Sequence, residues 1–317
     1  MEEAIAGDDC SSINLKKTLG PVRNQQDLSW CYAFTAADVL SQAMRQERST
    51  MVGLSQDGFK KVDVSAIQMA HEFQANRTTK SLADSQSAGG YVNETLNAAI
   101  NTGRVCTEEE IPSHGGKKNT VLGKVGNVVE KNSVNLIWDT PLNRQARDFS
   151  RLAWGRISSE LEMRESCRPA SVSLRAVSIH DRKRGFDKSG KKVGSAWSDP
   201  VSNQRFQMAL DQALEQGRIA GISYAANFLQ NVEGHSYHAS SIIGRKKMSG
   251  KCFYLLRNSW GLNCSLYAEP YKSQCRSGEI WVERDVLLQN ITDVDYIPAS
   301  KRPDAKPALP PDPTLIR

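Results

Sequence analysis

From Cys31 onward, apolar residues return every three or four positions. Phe34, Ala37, Leu40, Ala43 and Met44 share one face and predict an amphipathic helix. The chain ahead of it, Ile13 to Gln26, reads as extended and is punctuated by Gly20-Pro21. A second helix is predicted over Ser65–Ala75, with Ser65 as N-cap and Ile67, Ala70 and Phe73 along it. A third fits Asn93–Asn101, between the Gly89-Gly90 turn and Gly103, and a fourth fits Arg205–Gln216.

Beyond that point the period changes. Ile219–Ala225, Ala239–Gly244, Cys252–Arg257 and Gly278–Val282 are short runs bounded by Gly, Asn and Ser, and read as strands. Helices first and strands second predict an α+β architecture. The stretch from about 112 to 203 is rich in Lys and Arg, yet Phe149, Leu152, Ala153, Ile157 and Leu161 keep a helical spacing. Residues 1–12 read as a polar lead-in, 13–299 as the folded body, and 300–317 as an extended or disordered proline-rich tail.

Composition narrows the class. A chain of 317 residues, 39% hydrophobic and 24% charged, can bury a substantial core in the ordinary globular manner. No apolar run approaches the roughly 20 residues of a membrane span. The net charge of +6 is mild, and basic residues lack the aromatic interleaving of a nucleic-acid site, so neither partner is expected. The acidic start, Met1 to Asp9, does not read as a signal peptide. Seven cysteines contain no CxxC pair, so no metal site is expected. Setting Cys31 aside leaves six, which could close three bridges in 15 arrangements. If they pair, the protein is exported, either secreted or periplasmic.

Cys31 opens its predicted helix, where unpaired N–H groups and the helix dipole favour a thiolate. Alone, such a residue is a small buried hydrophobe. Three segments change that reading. Val22-Arg23-Asn24-Gln25 precedes Cys31-Tyr32-Ala33-Phe34; Tyr237-His238-Ala239 leads the apolar run to Gly244; Arg257-Asn258-Ser259-Trp260-Gly261 follows another apolar strand. In this order they resemble the papain-like cysteine peptidases, as a divergent member with insertions. The resemblance implies a papain-like two-lobed fold, with a helical N-terminal lobe, a β-rich C-terminal lobe and a cleft between them for a protein or peptide substrate. It requires no cofactor.

By the same resemblance Cys31 is the nucleophile and His238 its base. Asn258 orients the imidazole, and Gln25, six positions before Cys31, donates to the oxyanion. His235 is the nearby rival to His238 but lies in a loop-like segment, and His71, His114 and His180 have no such context. Trp260 would cover the His238–Asn258 hydrogen bond. Gly90 would bind substrate backbone, while Tyr91, Val92 and Ala239 would line the pocket for the second residue before the scissile bond. Apolar walls there imply an apolar or aromatic side chain. An inhibitory propeptide or separate inhibitor is a further partner the resemblance allows, although no segment resembles such a propeptide. Two other functions share the features: a binding protein on an altered peptidase scaffold, and a thiol-dependent acyl transferase or amidase.

The chain departs from the family pattern in two respects. Leu28-Ser29-Trp30 stands where papain and its relatives carry Cys-Gly and a small residue. Trp30 is therefore expected to crowd the approach to the thiol. Roughly 200 positions separate Cys31 from His238, against about 130–150 from Cys to His and Asn in that pattern, which implies an insertion within about 112–203. A smaller one spans 262–277 and holds Cys264 and Cys275, a candidate bridged loop; Cys106 and Cys167 are another candidate pair, and Cys10 and Cys252 are matched only by elimination.

Overall fold

The computed structural model describes residues 10–25, 30–47, 62–76, 90–113, 168–169, 174–181, 183–186, 192–193, 196–230 and 237–300. The helical pattern from Phe149 to Leu161, Cys167, Leu28, Ser29, His114, His235 and Gly89 lie outside them.

In chain order the elements are β1 (Ile13–Asn14), α1 (Cys31–Glu47), α2 (Ala66–Asn76), α3 (Val92–Thr102), β2 (Arg104–Val105), β3 (Arg168–Pro169), β4 (Val177–His180), β5 (Gly185–Phe186), β6 (Lys192–Val193), α4 (Pro200–Glu215), β7 (Ala220–Ala225), β8 (Tyr237–Met248), β9 (Lys251–Arg257), α5 (Tyr271–Gln274), β10 (Glu279–Glu283), α6 (Arg284–Leu288) and β11 (Ile291–Tyr296). The main sheet is antiparallel throughout, in the order β10-β9-β8-β7-β11-β4, with β1 added beside β8. β1 lies so close that a Cβ on Gly244 would stand 2.5 Å from the Ile13 carbonyl oxygen, so this register needs glycine.

The four predicted helices and four predicted strands are all present. α1 differs in one respect: Tyr32, Ala33, Phe34, Ala36, Ala37, Val39, Leu40 and Ala43 are buried nearly all round the helix. Its second face packs on the sheet, where Ala239, Ile243 and Leu255 join its core, while α2 and α3 cover the first. The Ser65 hydroxyl accepts from Gln68 N–H at 3.3 Å, the predicted N-cap. α4 begins five residues before Arg205. Asp199 caps it, accepting from the Val201 and Ser202 N–H groups, and Pro200 occupies the first turn. Its first apolar core residue, Phe206, comes only a turn and a half later, which hid the start.

Two clusters form the core, one around α1, α2 and α3, the other between the sheet and α4. Cys10 bridges Cys252, tying the segment before β1 to β9, and Cys264 bridges Cys275. Cys106 is also disulfide-bonded. Cys31 is a free thiol.

Candidate active site

Three segments meet at the start of α1. The Trp30 carbonyl accepts from the Ala33 and Phe34 N–H groups at 2.9 and 3.1 Å, so the helix is closed just before Cys31. The segment 23–25 pairs with 259–261: Gln25 N–H donates to the Ser259 carbonyl at 2.8 Å, Gly261 N–H donates to the Arg23 carbonyl at 3.0 Å, and Asn24 bridges to Trp260. β8 then brings its first residues alongside α1. The backbone N–H of Ala239, the residue after His238, lies near enough to the Cys31 sulfur to favour its thiolate.

His238 is 5% exposed. Its Nε2 lies 2.6 Å from Oδ1 of Asn258. The same Oδ1 accepts from the Ser259 backbone N–H at 2.8 Å, which fixes the orientation of the carboxamide. Nε2 therefore carries the ring proton, and Nδ1 is left with the lone pair. The Trp260 ring covers the imidazole at 4.7 Å between centroids and a 34° tilt, and Tyr224 meets it edge-on at 5.8 Å. Burial lowers the imidazole to about 4, with Asn258 opposing the shift. Desolvation raises the Cys31 thiol to about 11, although the N–H groups of Ala239, Tyr32 and Cys31 favour the thiolate. At neutral pH both groups are uncharged.

Gln25 is buried, and its Oε1 accepts from the Ser259 hydroxyl at 2.5 Å. That contact identifies Nε2 as the donor end of the amide.

The other sequence-selected residues divide. Trp260 and Ala239 lie in the cluster. Val92 is buried, and its Cγ1 stands 2.9 Å from where a Cβ on Gly221 would be; Tyr91 is 45% exposed at the start of α3. Gly90 has a packing reason of its own, since a Cβ would come within 2.5 Å of Phe73 and 2.7 Å of Tyr32. Trp30 is 3% exposed and packs into the core around α1, the cluster against which Cys31 also packs. The smaller insertion holds Tyr267, which the sequence reading did not single out. Its ring stacks on Trp260 at 5.2 Å, its hydroxyl donates to the Gly278 carbonyl at 3.3 Å, and the Asn258 carboxamide lies close enough to favour its ionised form. The signal was its position between Cys264 and Cys275.

Among the described residues no group of three or more His, Cys, Asp or Glu side chains could hold a metal ion, and no helix is long and apolar enough to cross a membrane.

A free cysteine opening a helix, near the strand that carries a buried, asparagine-paired histidine in an α+β fold, defines the class. The chain belongs to the papain family of cysteine proteases, whose family model matches residues 9–266. Solved structures similar to it include digestive procathepsin L2 from the larval midgut of Tenebrio molitor, 13% identical, covering 90% of this chain and 67% of that one with a TM-score of 0.46. Procathepsin L 3 from the same source is 12% identical over 94% and 73% of the two chains, with a TM-score of 0.48. Bromelain from Ananas comosus, bound to the inhibitor E64, is 16% identical over 90% and 98%, with a TM-score of 0.46. Comparison with curated proteins finds no match.

Proposed function

We propose that the chain is a cysteine-type peptidase acting on protein or peptide substrates, with Cys31, His238, Asn258 and Gln25 as its machinery. The observation that carries this reading is the His238 Nε2–Asn258 Oδ1 contact of 2.6 Å, beside a free thiol whose ionised form the Ala239 N–H favours. Nδ1 of His238 accepts the thiol proton as the sulfur attacks the scissile carbonyl carbon. The oxygen takes up the electron pair and is met by the Cys31 backbone N–H and the Gln25 amide. Collapse breaks the carbon–nitrogen bond; the amine leaves with the proton from the imidazolium, and a thioester remains. Water then attacks the thioester with His238 as base, releasing the acid and restoring the thiol.

Burial of Trp30 in the core around α1 counts against a binding protein on an altered scaffold, because the ring offers no exposed surface to a partner. An acyl transferase would share the acyl-enzyme, and added amine acceptors would appear in its products. The two bridges Cys10–Cys252 and Cys264–Cys275 fit an extracellular setting. The test is labelling by an epoxide or vinyl-sulfone probe together with peptide hydrolysis. Both are expected to vanish in Cys31→Ala while the fold persists; hydrolysis that survives the substitution would remove Cys31 from the mechanism.

A further inference from the structure

Strand register places acidic residues in the sheet wall beside Ala239. Ala239 on β8 pairs with Ser223 on β7, Ser223 with Asp293 on β11, and Asp293 with His180 on β4. Directly opposed residues project to the same face, so these four side chains form a row. One pair further along, Ser241, Gly221, Asp295 and Ser178 form a second row on that face. The face is turned toward α1 and α3, because a Cβ on Gly221 would meet Val92 Cγ1 at 2.9 Å and Thr35 Cγ2 at 3.0 Å.

Asp293 is 7% exposed. Its Oδ1 lies 2.5 Å from His180 Nδ1, and its Oδ2 accepts from the Tyr237 hydroxyl at 3.1 Å and the Thr292 hydroxyl at 2.7 Å. A carboxylate has about four acceptor sites, so it retains capacity after these three contacts. Asp295, two residues on, is 1% exposed, and its Oδ1 has no hydrogen-bond partner. Such an orphaned buried oxygen is costly and calls for a donor.

We propose that Tyr91, Val92 and Ala239 line a pocket whose floor carries the Asp293 carboxylate, with the buried Asp295 carboxyl as an acceptor behind it, and that this floor selects a basic side chain at the second residue before the scissile bond. The inference rests on the peptidase reading above and reverses the apolar preference that the rim residues alone imply. The rim packs the aliphatic stem of Arg or Lys. Asp293 lies two strand spacings, roughly 10 Å, from Ala239, a depth suited to a long side chain. Its carboxylate receives the cationic head, with guanidinium favoured because its planar fork pairs bidentately. A Leu or Phe in the same place would desolvate the carboxylate without giving it a donor.

Peptides identical except at that residue test the pocket. Arg is expected to exceed Leu and Phe in kcat/KM by about tenfold or more. Asp293→Asn, which conserves size, is expected to collapse the Arg-to-Leu ratio by a similar factor; a ratio within one preparation is insensitive to the fraction folded. A wild-type preference for Leu or Phe, or an unchanged ratio in Asp293→Asn, would overturn the proposal. If no peptide is cut, calorimetry of the same peptides on Cys31→Ser decides separately. Tighter binding of the Arg peptide upholds the pocket and sinks the peptidase reading, whereas equal binding sinks both.

Discussion

The Asp38 carboxylate, two turns along the helix that Cys31 begins, lies 3.4 Å from Nε of Arg257, the residue before Asn258. Its other oxygen pairs with Arg23, two residues before Gln25. One carboxylate thus ties the helix that Cys31 opens to the segments carrying Gln25 and Asn258. Burial opposes its ionisation, yet Arg23 and Arg257 hold it below the usual carboxylate range. Glu108 at 2.8 Å from Arg23 and Glu279 at 3.3 Å from Arg257 complete the network.

Asp38→Asn is expected to destabilise the fold by about 3–5 kcal/mol, since it leaves two buried arginines short of an anion. Urea unfolding measures the loss. The folded fraction is expected to lose kcat/KM as well, as Gln25 and Asn258 shift relative to Cys31. Full activity per folded molecule would show that the network supports the fold alone.

Burial of His238 sets an acid limit. With the imidazole at about 4, the base is neutral and able to accept a proton down to that pH. The acid limb of kcat/KM is therefore expected near pH 4, not near the 6.5 of a solvated histidine. A limb between 6 and 7 would mean that the ring is not desolvated in solution.

Much of this site was legible in the sequence because its chemistry comes in short contiguous strings. Gln25, Cys31, His238 and Asn258 each lie in a local motif, and the helix and strand periods around them were plain. What was hidden depends on contacts between distant strands. β11 escaped notice because Ile291–Tyr296 contains two aspartates, which read as turn or surface; the sheet instead buries them beside β4 and β7. The direction of Trp30 was equally hidden, since an aromatic before a helix can turn either way until α1 is seen to be covered on two sides.

Tyr267 backs the imidazole through Trp260 and Asn258. Tyr267→Phe keeps the ring that stacks on Trp260 and deletes the hydroxyl that donates to Gly278. The expected cost is about 1–2 kcal/mol of stability, with a severalfold fall in kcat/KM from looser placement of Asn258. Tyr267→Ala also removes the packing and is expected to cost about 3–5 kcal/mol. Active-site titration beside the kinetic measurements separates lost sites from slowed ones; a Phe variant with unaltered kcat/KM would confine the hydroxyl to the fold.

Stability against pH offers a test of the buried carboxyl of Asp295. Burial raises it to about 8 from an ordinary 3.8, so between those values the folded protein holds a proton that the unfolded chain has released. Its contribution is full below pH 3.8 and is lost as pH rises to 8. His238 acts in the opposite sense. The unfolded chain protonates at 6.5 and the folded one only near 4, so stability falls by about 3 kcal/mol as pH drops through that window. The two slopes offset one another between pH 4 and 6.5, and from 6.5 to 8 the Asp295 loss stands alone. Asp295→Asn removes that term while keeping the volume. The variant is expected to gain on the order of 2–4 kcal/mol over wild type at pH 8 and little at pH 4.5, with stability now rising between pH 4 and 6.5. Urea midpoints at the two pH values measure the difference, and an equal offset at both would mean that this carboxyl is ionised in the folded protein.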